Sequence, residues 1–252
     1  MTAEDIIRVK ELLPTTLGSV EIRDAFPREL LERAIFSARM ASVSYLADVQ
    51  DVCARMMSGE ISEAAARDVL GGVLERMGHS PQDEGGLSNP ASIRRLNLIL
   101  ETQTQMAASV AVLQEQTAAT VGIWPAWELT RLEGRSAPRE DWPQRWNAAG
   151  EAVGWDGAAR GGRFVALKAS PIWQALGDGA GGFKDTLGNP YPPFAFSSGM
   201  GWEDVGREEC ERLGLLAPGE EPPRPAGVSL APDAEELRRV VESCGFDISE
   251  GL

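Results

Sequence analysis

The chain has 252 residues, of which 43% are hydrophobic and 25% charged, the composition of a globular protein long enough to bury a sizeable core. Its 38 acidic and 24 basic residues leave a formal net charge of −14, a surface that repels phosphate and argues against bulk nucleic-acid binding. No apolar run reaches the length of a bilayer, and the acidic start MTAEDIIRVKELL lacks a secretion-signal pattern.

Ala3 to Leu13 predicts a short amphipathic helix with Ile6, Ile7, Val9, Leu12 and Leu13 apolar, stopped by Pro14. Thr15 to Ser19 reads as a loop. Pro27 suits the start of a second helix leading to Phe36, and the sequence leaves open whether it breaks before Ser37 or runs on through Tyr45. From Ser44 to Met57, Leu46, Val49, Val52, Cys53, Met56 and Met57 recur at helical spacing until Gly59. Ser62 is placed to cap the next helix and Gly78 to stop it. His79 to Ser88 is then a solvent loop.

Asn89 to Gln116 is the element that organises the first half. Asn89 can accept from an early helical amide, and Pro90 suits the first helical position. Leu96, Ile99, Met106, Val110 and Leu113 follow at steps of three and four, with Gln103 in the one missing place. Ile93, Leu100 and Ala107 widen the stripe into a broad buried face. Gln103 and Gln105 stand where a purely structural helix would prefer Leu or Ala. They are either a buried polar device that fixes helix register or side chains reaching solvent or a loop backbone.

After Gln116 the composition changes, with all seven tryptophans between Trp124 and Trp202 and with Gly and Pro dense. Trp124–Leu132 and Arg163–Lys168 predict strands, while Pro143–Ala149, Ser170–Leu176 and Arg207–Leu213 predict short helices. Gly206 and Glu209 are placed like a weak capping box for the last of these, with Gly214 as its stop. Gly188 to Trp202 reads as irregular structure packed by its side chains. Ala217 to Gly227 is a Pro-rich spacer that should stay extended. Asp233 to Cys244 predicts a final helix with Leu237, Val240 and Val241 apolar, too short to be stable without a surface to dock on.

The fold class expected is α+β, a mainly helical N-terminal half around one long central helix followed by a Trp/Gly/Pro-rich part with few short strands. The organisation expected is a helical region 1–117, a loop-and-strand region 118–216, a linker 217–230 and a C-terminal helix 231–252. Candidate partner-binding residues are Leu237, Val240, Val241, Gln103 and Gln105.

Reactive chemistry finds little support. Cys53, Cys210 and Cys244 are widely spaced and read as reduced thiols, without disulfide or zinc spacing. His79 is the only histidine and has no carboxylate or cysteine at ligand spacing. The glycine runs 157–162 and 177–182 carry no phosphate-loop lysine. Glu140–Asp141, Glu203–Asp204 and Glu208–Glu209 are either carboxylate pairs for hydrolysis or metal binding, or solvated helix starts. The tryptophans are either a sugar-stacking surface or core filling, and the latter is the commoner use of an indole. No catalytic residue, metal ligand or cofactor site is predicted.

Two stretches carry a family resemblance. Leu98–Ser109, LILETQTQMAAS, resembles the helix of phage Mu F-like head-morphogenesis proteins, and Trp127–Arg139, WELTRLEGRSAPR, resembles the strand and turn that follow it. Phe36–Ala38 and the helices to Met77 stand in the family's order, so the resemblance covers Phe36 to Trp146. It extends more loosely to Leu216 through Pro190–Met200, PYPPFAFSSGM. Family members often carry a histidine where Ala137 and Pro138 stand here, and a Cys-Arg-Cys run where Phe196–Ser198 stand. The resemblance implies a non-enzymatic minor capsid protein of the virion, made in the host cytoplasm. Its partners would be phage portal or capsid proteins, and its work head assembly with a role in DNA ejection. The rival readings are a head–tail connector and a hydrolase using the acidic pairs.

Overall fold

A computed structural model describes residues 1–80, 86–134, 137–155 and 157–228 of the chain. The fold is α+β. The described residues form two compact units, Met1–Ala108 and Ser109–Val228, so the division falls inside the central helix rather than after it. The predicted helix carrying Leu237, Val240 and Val241 lies outside the described residues, as does Cys244.

The first unit opens with α1 (Ala3–Arg8), held by a capping box between Thr2 and Asp5. This helix does not reach Leu13. The side-chain amide of Gln50 donates to the carbonyls of Ile7 at 2.9 Å and Lys10 at 2.6 Å, meeting the end of the helix. Glu11–Leu12 then forms β1, paired in parallel with β2 (Ala34–Ile35) in the register Glu11↔Ala34 and Leu12↔Ile35. Between them lie α2 (Ser19–Ala25), where a loop was expected to end, and α3 (Arg28–Arg33). The second predicted helix therefore stops at Arg33, because Ala34 and Ile35 are taken into the sheet. Leu13, Ile22, Phe26, Leu30, Leu31 and Ala34 make one buried cluster around this pair.

Ser42 caps α4 (Val43–Met57) by accepting from the Tyr45 amide, which settles the break that the sequence left open, and Ser62 caps α5 (Glu63–Arg76) from the Ala65 amide, as the sequence predicts. Gly78 ends the latter with φ at +87°. The long helix α6 (Ile93–Gln114) begins later than expected. Its cap is Ser92, whose hydroxyl accepts from the Arg95 amide at 3.2 Å, whereas Asn89 makes a turn ahead of it through the Ala91 amide at 3.0 Å. Ile93 is consequently the first helical residue and is 55% exposed, not part of the apolar stripe. Leu96, Ile99, Leu100, Met106, Ala107, Val110 and Leu113 are buried.

In the second unit, Thr117 caps α7 (Ala118–Ile123). The sheet follows: β3 (Ala126–Arg131) lies between β4 (Val165–Leu167) and β5 (Met200–Val205), all antiparallel. Met200–Trp202 was expected to be irregular and instead opens β5. The pairs Leu129↔Trp202 and Glu128↔Val165 fix the two faces. Trp127, Leu129 and Trp202 point to one, under α8 (Trp142–Ala152) and α9 (Ile172–Asp178). Ala126, Val165 and Val205 point to the other, where they pack with Cys210 of α10 (Arg207–Arg212) and with Leu216. The expected capping box at Gly206 is not made, because Gly206 has no side chain to accept and Glu209 is bound to Arg163 and Arg212.

Candidate functional site

The second unit is built on aromatic contact. Trp127 stacks on Trp202 at 3.7 Å with an interplanar angle of 6°. Trp173 of α9 meets Trp202 edge-on at 5.8 Å, and Trp146 of α8 meets Trp173 at 5.5 Å. Phe194 closes the cluster from the Pro-rich loop. Trp127, Trp142, Trp146 and Trp173 are buried, so the indoles fill the core, and only Trp124 is exposed.

Three cations of this unit each bind one member of the acidic pairs that the sequence offered as reactive, namely Asp204, Asp141 and Glu209. Lys168, with no exposed side-chain surface, donates to Asp204 at 2.7 Å and to Gln116 at 2.8 Å, with its ammonium 5.0 Å from the Trp127 ring centre. Burial lowers its pKa and the Asp204 carboxylate opposes that. Arg145 lies over the Phe183 ring at 4.2 Å and reaches both Asp141 and Asp185 at 2.9 Å. Burial works against its charge, yet the two carboxylates hold its pKa above the usual value, and Asp141 in turn is held below its own. Arg163 bridges Glu128 and Glu209 from strand to helix, and Glu209 is kept ionised by Arg212 and Arg163. Asp141 and Glu209 are thus shifted away from the range in which a carboxyl serves as an acid catalyst.

A groove of about 400 Å³ opens beside this core, walled by Trp155, Arg160, Ser170, Pro171, Leu215 and Pro223. The Arg160 guanidinium lies 5.2 Å from the Trp155 ring centre. Pro223 belongs to the Pro-rich stretch, which makes one turn at residues 218–219 and is followed by neither helix nor strand up to Val228. The Glu220 carboxylate accepts from the Ala217 amide at 2.8 Å, and the Glu220 carbonyl accepts from Arg207 at 2.9 Å. Beyond Glu220 there is no main-chain to main-chain hydrogen bond among the described residues. There Pro222, Pro225 and Val228 are half-buried while Glu221, Pro223, Arg224, Ala226 and Gly227 are exposed.

The first unit holds a buried polar cluster. Lys10 is 4% exposed and donates to the side-chain carbonyl of Gln103 at 3.3 Å. Burial pushes its pKa down to about 8, against the pull of Cys53 and Glu32. Cys53 is pushed up to about 12 by its own burial, and the Tyr45 hydroxyl is raised for the same reason. Gln103 is therefore a buried hydrogen-bond acceptor on α6, while Gln105 on the same helix is half-buried. His79 is half-buried at the end of α5, its amide bonded to the Leu74 carbonyl.

Sequence reasoning singled out Gln103 but missed its partner, and missed the groove, because both depend on residues brought together from distant positions. The anomalous glutamine was the one local sign of the Lys10 site. Among the described residues no group of three His, Cys, Asp or Glu could hold a metal ion, and no helix is long and apolar enough to cross a membrane. No family model matches the chain, and neither a curated protein nor a solved structure is significantly similar to it.

Proposed function

We propose that the chain is a structural protein of a phage particle, a minor head component at the portal vertex that acts in capsid assembly through its surfaces. The observation that carries this reading is the use made of ionic groups in the second unit. Lys168, Arg145 and Arg163 each tie separate segments of the chain together through carboxylates, as a rigid body that must keep its shape under assembly requires. The sequence resemblance to Mu F-like proteins supplies the particle and the vertex. Trp127–Arg131, the first part of its second stretch, lies in β3.

Mass spectrometry of purified particles, with copy-number counting, tests the reading. A low, fixed number of copies per particle is the expected result. Presence in infected or induced cells with absence from the particle overturns it.

A further inference from the structure

We infer that the outer edge of β5 is a strand-addition site, which takes an extended segment of a partner protein in which large apolar residues alternate with Lys or Arg. The inference goes beyond the phage reading and does not depend on it.

The register of the sheet fixes which main-chain groups are open. The Lys168 amide donates to the Pro125 carbonyl and the Leu129 amide to the Phe164 carbonyl, both at 2.9 Å, so the odd-numbered residues of β3 turn their main-chain groups toward β4. The even-numbered residues turn theirs to β5, as the Leu132 amide does in donating to the Gly199 carbonyl at 2.9 Å. Gly201, Glu203 and Val205 therefore bond to β3, while Met200, Trp202 and Asp204 present their main chain to the outside. The Met200 amide is met by the Ser198 hydroxyl at 3.1 Å. The Met200 carbonyl and both main-chain groups of Trp202 and Asp204 have no hydrogen-bond partner among the described residues. The opposite edge of the sheet is closed, because the Leu167 carbonyl of β4 accepts from the Trp173 indole and the Ser170 amide, both at 2.9 Å. A row of unpaired donors and acceptors beside exposed side chains is the template on which an extended segment adds.

The side chains of the edge choose its occupant. Glu203 is exposed and forms no ion pair among the described residues, and the Asp204 side chain is 47% exposed. Half-buried Trp202 precedes them. A second copy of β5 would bring carboxylates against carboxylates, so the edge is defended against pairing with itself. A basic segment reverses that sign, with Lys or Arg opposite Glu203 and an apolar side chain across from Trp202. The net charge of −14 draws such a segment in.

The test uses the full chain and a labelled peptide of alternating Val and Lys, followed by fluorescence anisotropy at low ionic strength. Binding is expected, with amide hydrogen exchange slowed at Trp202 and Asp204 but unchanged at Glu203, whose amide already faces β3. The same peptide N-methylated along its pairing edge should lose binding, and a peptide of alternating Val and Glu should not bind. Glu203→Lys should weaken binding of the Val–Lys peptide about tenfold, as attraction across the pair becomes repulsion. Equal binding of the N-methylated peptide would mean adhesion to the acidic surface at large, and overturns strand addition. Absence of binding overturns it too, as does a bound peptide that leaves exchange at Trp202 and Asp204 unchanged. Slow exchange at these two amides in the chain alone shows an edge already covered, by a second copy where dilution releases it and by another segment of the chain where it does not. Either result overturns the assignment to a partner.

Discussion

Gln103 and Lys10 form one hydrogen bond across 93 residues of sequence. Replacing Gln103 with Leu leaves a buried ammonium without its acceptor, which should lower stability by about 1–3 kcal/mol, read from denaturant melts. Lys10→Met removes the charge together with its need, so it should match or exceed the parent in the same assay. The pH dependence has a definite sign. Lys10 titrates near 8 in the folded chain and at its ordinary 10.5 when unfolded, so the unfolded chain binds more protons between these values and stability rises with pH from about 8. Cys53 acts in the opposite sense, because its thiol ionises at 9.0 when unfolded and only near 12 when folded. Stability should climb from about pH 8 to 9, level off, and fall once Lys10 is neutral in both states while Cys53 and Tyr45 resist ionisation. Lys10→Met should erase the climb. A melting profile that is flat from pH 7 to about 9 in the parent would remove Lys10 from this account.

Close approach decides the cost of change within elements. A Cβ on Gly177 of α9 would stand 1.9 Å from the Asn189 carbonyl oxygen, a backbone atom that cannot turn away. On Gly201 of β5 it would stand 2.1 Å from the Leu132 side chain, whose end is 57% exposed and free to move. Gly177→Ala should therefore cost about 1–3 kcal/mol by thermal or denaturant melting. Gly201→Ala should cost far less and be restored by a second change, Leu132→Ala. Gly201 also explains why β5 was not legible: a glycine within a strand removes the alternation by which strands are read. The strands β3 and β4 were legible because Trp127 and Leu129, or Val165 and Leu167, alternate with other residues. The pair β1 and β2 had no local sign, since two-residue parallel strands are defined only by each other. The central helix was read correctly through its apolar face, yet its start was placed too early, because Asn89 and Pro90 mimic a cap that Ser92 supplies.

At the scale of the whole molecule, spacing and composition separated a helical half from a tryptophan-rich one, and the described residues divide into compact units between Ala108 and Ser109, inside α6. What composition could not give was the use of the charges. Two of the acidic pairs looked like candidates for chemistry because Lys168, the partner of Asp204, and Arg163, the partner of Glu209, lie elsewhere in the sequence. Breaking one such tie, by Asp204→Asn, should weaken the second unit more than the first, which limited proteolysis followed by peptide mapping would show. Equal sensitivity of the two units to the protease would count against that localisation.

Every indole of the chain lies between Trp124 and Trp202, inside the second unit, whereas the first contains none. Tryptophan fluorescence, excited selectively so that Tyr45 of the first unit does not contribute, accordingly reports on the second unit, and the face-to-face pair Trp127–Trp202 should give that unit an excitonic band in circular dichroism. The peptide-bond signal, by contrast, arises in both units, with α4, α5 and most of α6 in the first. A single sample heated once thus yields two separate readouts without any added label, and their coincidence or divergence tells whether the units melt as one.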